Sequence, residues 1–167
     1  MNSIMSDDLL LNELINKVKI TFAQGTPSGI LLHWDEKRFL AEISEIVQPM
    51  QAQNETDFNY AFCNRYSIDD NSDQEHYIGL WISCIADVFS LSPIRRINNK
   101  TSNIENSPKP YLHEKLEEIQ QFFTNKNFFI FPESWDKIVI PEITLELSKV
   151  ATLGKCLFED FEGSCDE

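Results

Sequence analysis

Apolar residues return every three or four positions early in the chain, at Leu11, Leu14, Ile15, Val18 and Phe22. This is the single stripe of an amphipathic helix. Ser6 stands before it as an N-cap, Asp7 and Asp8 place negative charge at the positive end of its dipole, and Gly25 and Pro27 stop it. A second helix is predicted from Asp35 as N-cap, with Trp34 and Phe39 at the positions of a hydrophobic staple. Its buried stripe is Phe39, Ile43, Ile46, Val47 and Met50, and Pro49 limits its extension. Between the two helices, Ile30, Leu31 and Leu32 read as a brief extended segment or a packed turn.

The period then falls to two. Phe58, Tyr60, Phe62, Tyr66 and Ile68 alternate with Asn59, Ala61, Cys63 and Arg65, as in a strand with one buried face. After a polar loop, Asp69 to Glu75, comes a nearly continuous apolar run from Tyr77 to Phe89, predicted as a central strand covered on both faces. The short separation favours an antiparallel hairpin. Ser92-Pro93 is read as a turn into a third strand around Ile94 to Ile97, followed by a polar loop from Asn98 to Ser107. Ser107 caps a third helix with Pro108 at N1, and Leu112, Leu116, Ile119 and Phe123 form its stripe. Asn127 to Phe131 is a short strand halted by Pro132, Ile138 to Ile140 is extended, and Glu142 to Phe158 stays open between strands and short helices. The order predicts one α+β domain, residues 1–167: an antiparallel meander with helices packed mainly on one face.

Composition adds a real core, since 42% of residues are hydrophobic and 12 are Phe; disorder by composition is excluded. The N-terminal segment carries neither the basic start of an export signal nor an uninterrupted apolar span, so a cytoplasmic protein is expected. Cys63, Cys84, Cys156 and Cys165 show no CxxC spacing, and the first three are expected to be reduced thiols serving as small core residues. Net charge is −13, from 27 acids and 14 bases. Such a chain is repelled by nucleic acid and by anionic membrane and attracts cationic partners. The acids also cluster: Asp69, Asp70, Asp73 and Glu75 fall in one loop, and Glu159, Asp160 and Glu162 in the basic-free tail. Solvated, solubilising ends are the plain alternative for either cluster.

Chemistry is hard to place. His33, His76 and His113 lie in different elements, outside any nucleophile or metal spacing. The five glycines are too scattered for a phosphate loop. Asp69 to Glu75 begins like a calcium loop, but Gln74 stands where glycine is needed and Leu80 where a bidentate acid is needed. Arg95, Arg96 and Lys100 are expected to satisfy nearby carboxylates rather than read nucleic acid. No catalytic residue, metal or cofactor is therefore expected. The competing class is a small enzyme or ligand-binding protein using a carboxylate pair drawn from Glu133, Asp136 and Glu142.

The run Tyr77-Ile78-Gly79-Leu80-Trp81-Ile82-Ser83, then Phe129-Ile130-Phe131-Pro132-Glu133, Val139-Ile140-Pro141 and Cys156-Leu157-Phe158-Glu159-Asp160, resembles segments of bacterial immunity proteins. These belong to polymorphic-toxin and contact-dependent growth inhibition systems. The resemblance covers roughly the second half of the chain. It implies cytoplasmic neutralisation of a cognate toxin domain, often a cationic nuclease, by covering its active site. On that footing Asp69, Asp70, Asp73, Glu75, Glu159, Asp160 and Glu162 are the expected toxin contacts.

Overall fold

A computed structural model describes residues 6–97, 100–103 and 110–160, with the backbone alone for Gln74, Ile97, Lys100 and Asn103. Helix α1 is Asp7–Phe22, and the Ser6 hydroxyl accepts the Leu9 N–H at 3.3 Å as its cap. Leu14, Val18 and Phe22 are buried, and the chain leaves the helix through Gly25 at φ +112°, a left-handed conformation that glycine adopts without strain.

Helix α2 is shorter than expected, Leu40–Ile46. Asp35 caps only a local turn, accepting the Lys37 N–H at 2.9 Å, and Phe39 takes φ +65° before the helix begins. Left-handed backbone costs a bulky residue on the order of 1–3 kcal/mol. Ring packing offsets it: Phe39 stands edge-on to Phe122, Phe123 and Phe128, with centroids 5.5–6.1 Å away. Trp34 instead packs on Phe58 at 5.6 Å, so the predicted staple does not form. Ile30, Leu31 and Leu32 form an exposed turn, not a packed one.

The sheet comprises β1 (Gln51–Asn54), β2 (Cys63–Asp70), β3 (Asp73–Ser83), β4 (Val88–Ile97) and β5 (Lys100–Asn103), each antiparallel to its neighbour in sequence order. A two-residue β6 (Phe129–Ile130) adds one parallel pairing beside Val88 and Phe89. The β2–β3 hairpin is as expected, though its turn is tighter than the polar run implied. The alternating segment from Phe58 yields a strand only from Cys63; residues 58–60 form a turn.

Three strand readings are corrected. The run Tyr77 to Phe89 is two strands, because the Ser83 hydroxyl accepts the Ile85 and Ala86 N–H groups and donates to Leu157 O at 2.8 Å, bending the chain at 84–87. Ser92-Pro93 is not a turn but the middle of β4, with Pro93 opposite Ile78. Part of the polar run after it is strand β5. Ser107 and Pro108, the expected cap of the third helix, lie outside the described residues; α3 is described as Pro110–Asn125.

Nor is β3 covered fully on both faces. Ile78, Leu80 and Ile82 are wholly buried, whereas Tyr77, Gly79 and Trp81 are half-buried. The buried face packs on α2 and α3 through Ile43, Val47, Leu112, Ile119 and Phe123. A second core lies where β2 begins and β3 ends, built from α1, the 129–145 segment and helix α4 (Leu153–Leu157). The open stretch Glu142 to Phe158 thus resolves into bends, a bridge from Val139 to Thr152, and α4 capped by the Thr152 hydroxyl on Lys155 N–H.

Candidate binding surface

The two acidic clusters lie at opposite ends of β2. Asp69, Asp70, Asp73 and Glu75 surround the β2–β3 turn, while Glu159 and Asp160 return beside Tyr60 and Ala61, ahead of Cys63. Eight strand residues at about 3.3 Å each separate the ends by roughly 25 Å. Glu162 lies outside the described residues.

At the turn, Asp70 accepts the Ser72 N–H at 3.0 Å, next to an irregularity in register between Asp69 and Asp70. Asp73 has an inward task. It accepts the Glu75 and His76 N–H groups at 3.1 and 3.2 Å, faces the His76 ring at 3.1 Å, and accepts the Tyr111 hydroxyl of α3 at 3.1 Å. Burial alone would raise its carboxyl, but these hydrogen bonds outweigh it and hold Asp73 below the usual aspartate range. Burial and the same contact push the Tyr111 phenol up to about 12. Glu75 lies 3.8 Å from Arg95, and Arg96 stacks on Tyr77 at 4.9 Å. Arg95 therefore meets a carboxylate as expected, and Arg96 meets a ring.

The C-terminal pair faces the molecule itself. Both Glu159 oxygens accept from Arg65 at 3.3 Å, and Arg65 lies over the Trp81 ring at 4.8 Å. Burial, partly opposed by Arg65, raises the Glu159 carboxyl. Asp160 is 4% exposed and accepts the Leu147 and Ser148 N–H groups at 2.8 and 2.9 Å. It clasps the 145–148 segment to the stretch that follows α4.

A third set of carboxylates has no counterpart in the sequence reading. On α2, Glu42 and Glu45 are exposed; on α3, so are Glu114, Glu117 and Glu118. The helices pack together, and Lys115 between them donates to Ile46 O at 3.0 Å and to Glu118 at 3.2 Å. Among the described residues no salt bridge reaches Glu42, Glu45, Glu114 or Glu117. The signal was present: Glu114, Glu117 and Glu118 sit opposite the stripe Leu112/Leu116/Ile119/Phe123. Tyr111 links this helical face to the β2–β3 turn through Asp73, so the two acidic regions adjoin.

His33 and His113 are exposed and His76 is buried, each in a separate element. Cys63, Cys84 and Cys156 are free thiols raised by burial, Cys156 to about 12, which disfavours the nucleophilic thiolate. Among the described residues no three His, Cys, Asp or Glu side chains form a metal-holding group. Glu133 and Asp136 are exposed on and after a single 3₁₀ turn (Glu133–Trp135), and Glu142 pairs with Lys19 at 3.2 Å. None of the three lines the cavity beside Tyr60 or the open hollow beside Pro49. No described helix is long and apolar enough to cross a membrane. No family model, no curated protein and no solved structure matches the chain.

Proposed function

We propose that this chain is an immunity protein: a non-catalytic binder that neutralises a cognate cationic toxin domain, such as a nuclease, by lying over its active site. The observation that carries the reading is the exposed carboxylate face of α2 and α3, Glu42, Glu45, Glu114 and Glu117, which no salt bridge reaches among the described residues and which adjoins Asp69 and Asp70 at the hairpin turn. Clustered charge of one sign steers an oppositely charged partner and raises its association rate, an effect that salt weakens. Within the group first singled out, the reading now rests on Asp69 and Asp70, since Glu75 lies against Arg95. Asp73, Glu159 and Asp160 are committed to internal contacts.

The test is co-purification with a candidate toxin domain drawn from the genes that flank this one, followed by charge reversal. Glu42→Lys, Glu45→Lys, Glu114→Lys and Glu117→Lys together should slow association by on the order of tenfold or more at low salt and flatten its salt dependence. A complex that keeps its association rate and salt dependence after these four changes and after Asp69→Lys/Asp70→Lys would sink the electrostatic reading.

A further inference from the structure

At the far end of the sheet from the acidic turn, the segments 26–30, 58–62 and 146–147 together with Asp160 line a half-open groove of about 190 Å³. Large apolar side chains stand open around it: Ile30 is 50% exposed, Tyr60 56% and Leu147 52%. The loop that supplies Ile30 continues into Leu31, 79% exposed. Exposed apolar side chains grouped round one hollow favour an interaction site more than the same side chains scattered singly.

The walls are fixed rather than pliable. Gly29 is packed so tightly under Trp34 and Phe58 that an added Cβ would lie 2.6–2.9 Å from their carbons. Asp57 accepts the Asn59 N–H at 3.0 Å, and Asp160 both holds the Leu147 N–H and donates its own N–H to Tyr60 O. A preformed groove loses little entropy on binding. Its ionisable lining is one-signed: Glu146 is exposed, Asp160 is spent on backbone, and no lysine or arginine is among the described residues that line it.

We infer that this groove docks an extended segment of a partner protein in which a large apolar side chain fills the cavity and a neighbouring lysine or arginine meets Glu146. The site goes beyond the acidic-face reading, stands roughly 25 Å from the hairpin turn along β2, and needs no carboxylate on α2 or α3.

The ¹⁵N-labelled full chain can be titrated with two short peptides, acetyl-Gly-Leu-Lys-Phe-Gly-amide and the same peptide with Glu for Lys, while backbone amide shifts are followed. Saturable shifts at Asn59, Tyr60 and Leu147 are expected, at least about threefold tighter for the lysine peptide at low salt. They should be lost in Ile30→Ser/Leu147→Ser, whose replaced side chains are exposed enough to leave the fold intact. Glu146→Gln should equalise the two peptides. Three results overturn the inference: no shift in those amides, equal affinity for both peptides, or shifts that grow with protein concentration alone, which would assign the groove to a second copy. With the toxin fragment in hand the two ideas separate. Binding lost on reversing the α2/α3 acids but unchanged in Ile30→Ser/Leu147→Ser keeps the acidic-face reading and removes the groove from that complex. Lysine-selective peptide binding without any toxin complex keeps the groove and removes the immunity reading.

Discussion

Replacing Asp160 with alanine removes a carboxylate that is 4% exposed and accepts two backbone N–H groups, Leu147 at 2.8 Å and Ser148 at 2.9 Å. Hydrogen bonds to an ionised group contribute about 1.5–3 kcal/mol each, so the pair is worth about 3–6 kcal/mol. Part is returned because the variant no longer buries a charge, which leaves a net loss of about 3–4 kcal/mol. Against a total stability of about 5–15 kcal/mol, that is a large fraction. Urea unfolding followed by tryptophan fluorescence reads it directly: with a slope of about 2 kcal/mol per molar, the midpoint should fall by about 1.5–2 M. Asp160→Asn keeps one acceptor but turns an amide N–H₂ towards the second donor, so it should lose about half as much. Glu146→Ala, on an exposed side chain of the same segment, should change stability by less than about 0.5 kcal/mol. A midpoint shift below about 0.5 M for Asp160→Ala would refute the clasp and return Asp160 to the proposed interface.

Asp73 carries a pH signature. Its folded carboxyl lies below the ordinary 3.8, so the unfolded chain binds the proton more readily and stability rises with pH in that window. Its contribution is complete above that value and is lost as the pH falls through the folded value; Asp73→Asn should abolish this component in acid-unfolding curves, and identical acid limbs would refute it. Gly29→Ala forces a methyl against Trp34 and Phe58 and should cost about 1–3 kcal/mol by urea unfolding, whereas a neutral result would mean the rings move freely. Phe123→Ala empties a fully buried site beside Phe39, Phe89, Phe122 and Phe128 and should cost about 3–5 kcal/mol, with loss below about 1.5 kcal/mol pointing to a core that collapses onto the space.

Where the apolar period was clean, the elements were legible. The stripe from Leu11 to Phe22 and its Ser6 cap became α1, and the stripe from Leu112 to Phe123 became the inner face of α3. The antiparallel meander followed from two apolar runs and a polar turn. Errors arose where a side chain or a distant ring overrode the local signal. Phe39 looked like the first turn of a helix, but three aromatic rings from α3 and the segment beyond it draw it into left-handed backbone. Ser83 looked like the middle of a strand, but its hydroxyl captures two N–H groups and ends it. Pro93 looked like a turn, yet it fits within β4, where part of the strand's free edge is paired by β6 and part by β5.

The same distinction governs the carboxylates. A charge count gives the sign of a surface but not the direction in which any acid points; that comes from the apolar period of the element carrying it. Glu114, Glu117 and Glu118 sit on a helix whose inner stripe is unmistakable, so their outward placement follows from spacing alone. Glu159 and Asp160 end a segment with no clear period, and nothing local distinguishes an acid facing solvent from one that meets Arg65 or two backbone N–H groups. Clustering in sequence favoured that tail, whereas periodicity favours the helices. Of the two signals only periodicity is tied to burial, so the α2/α3 face is the stronger ground for the proposed cationic partner.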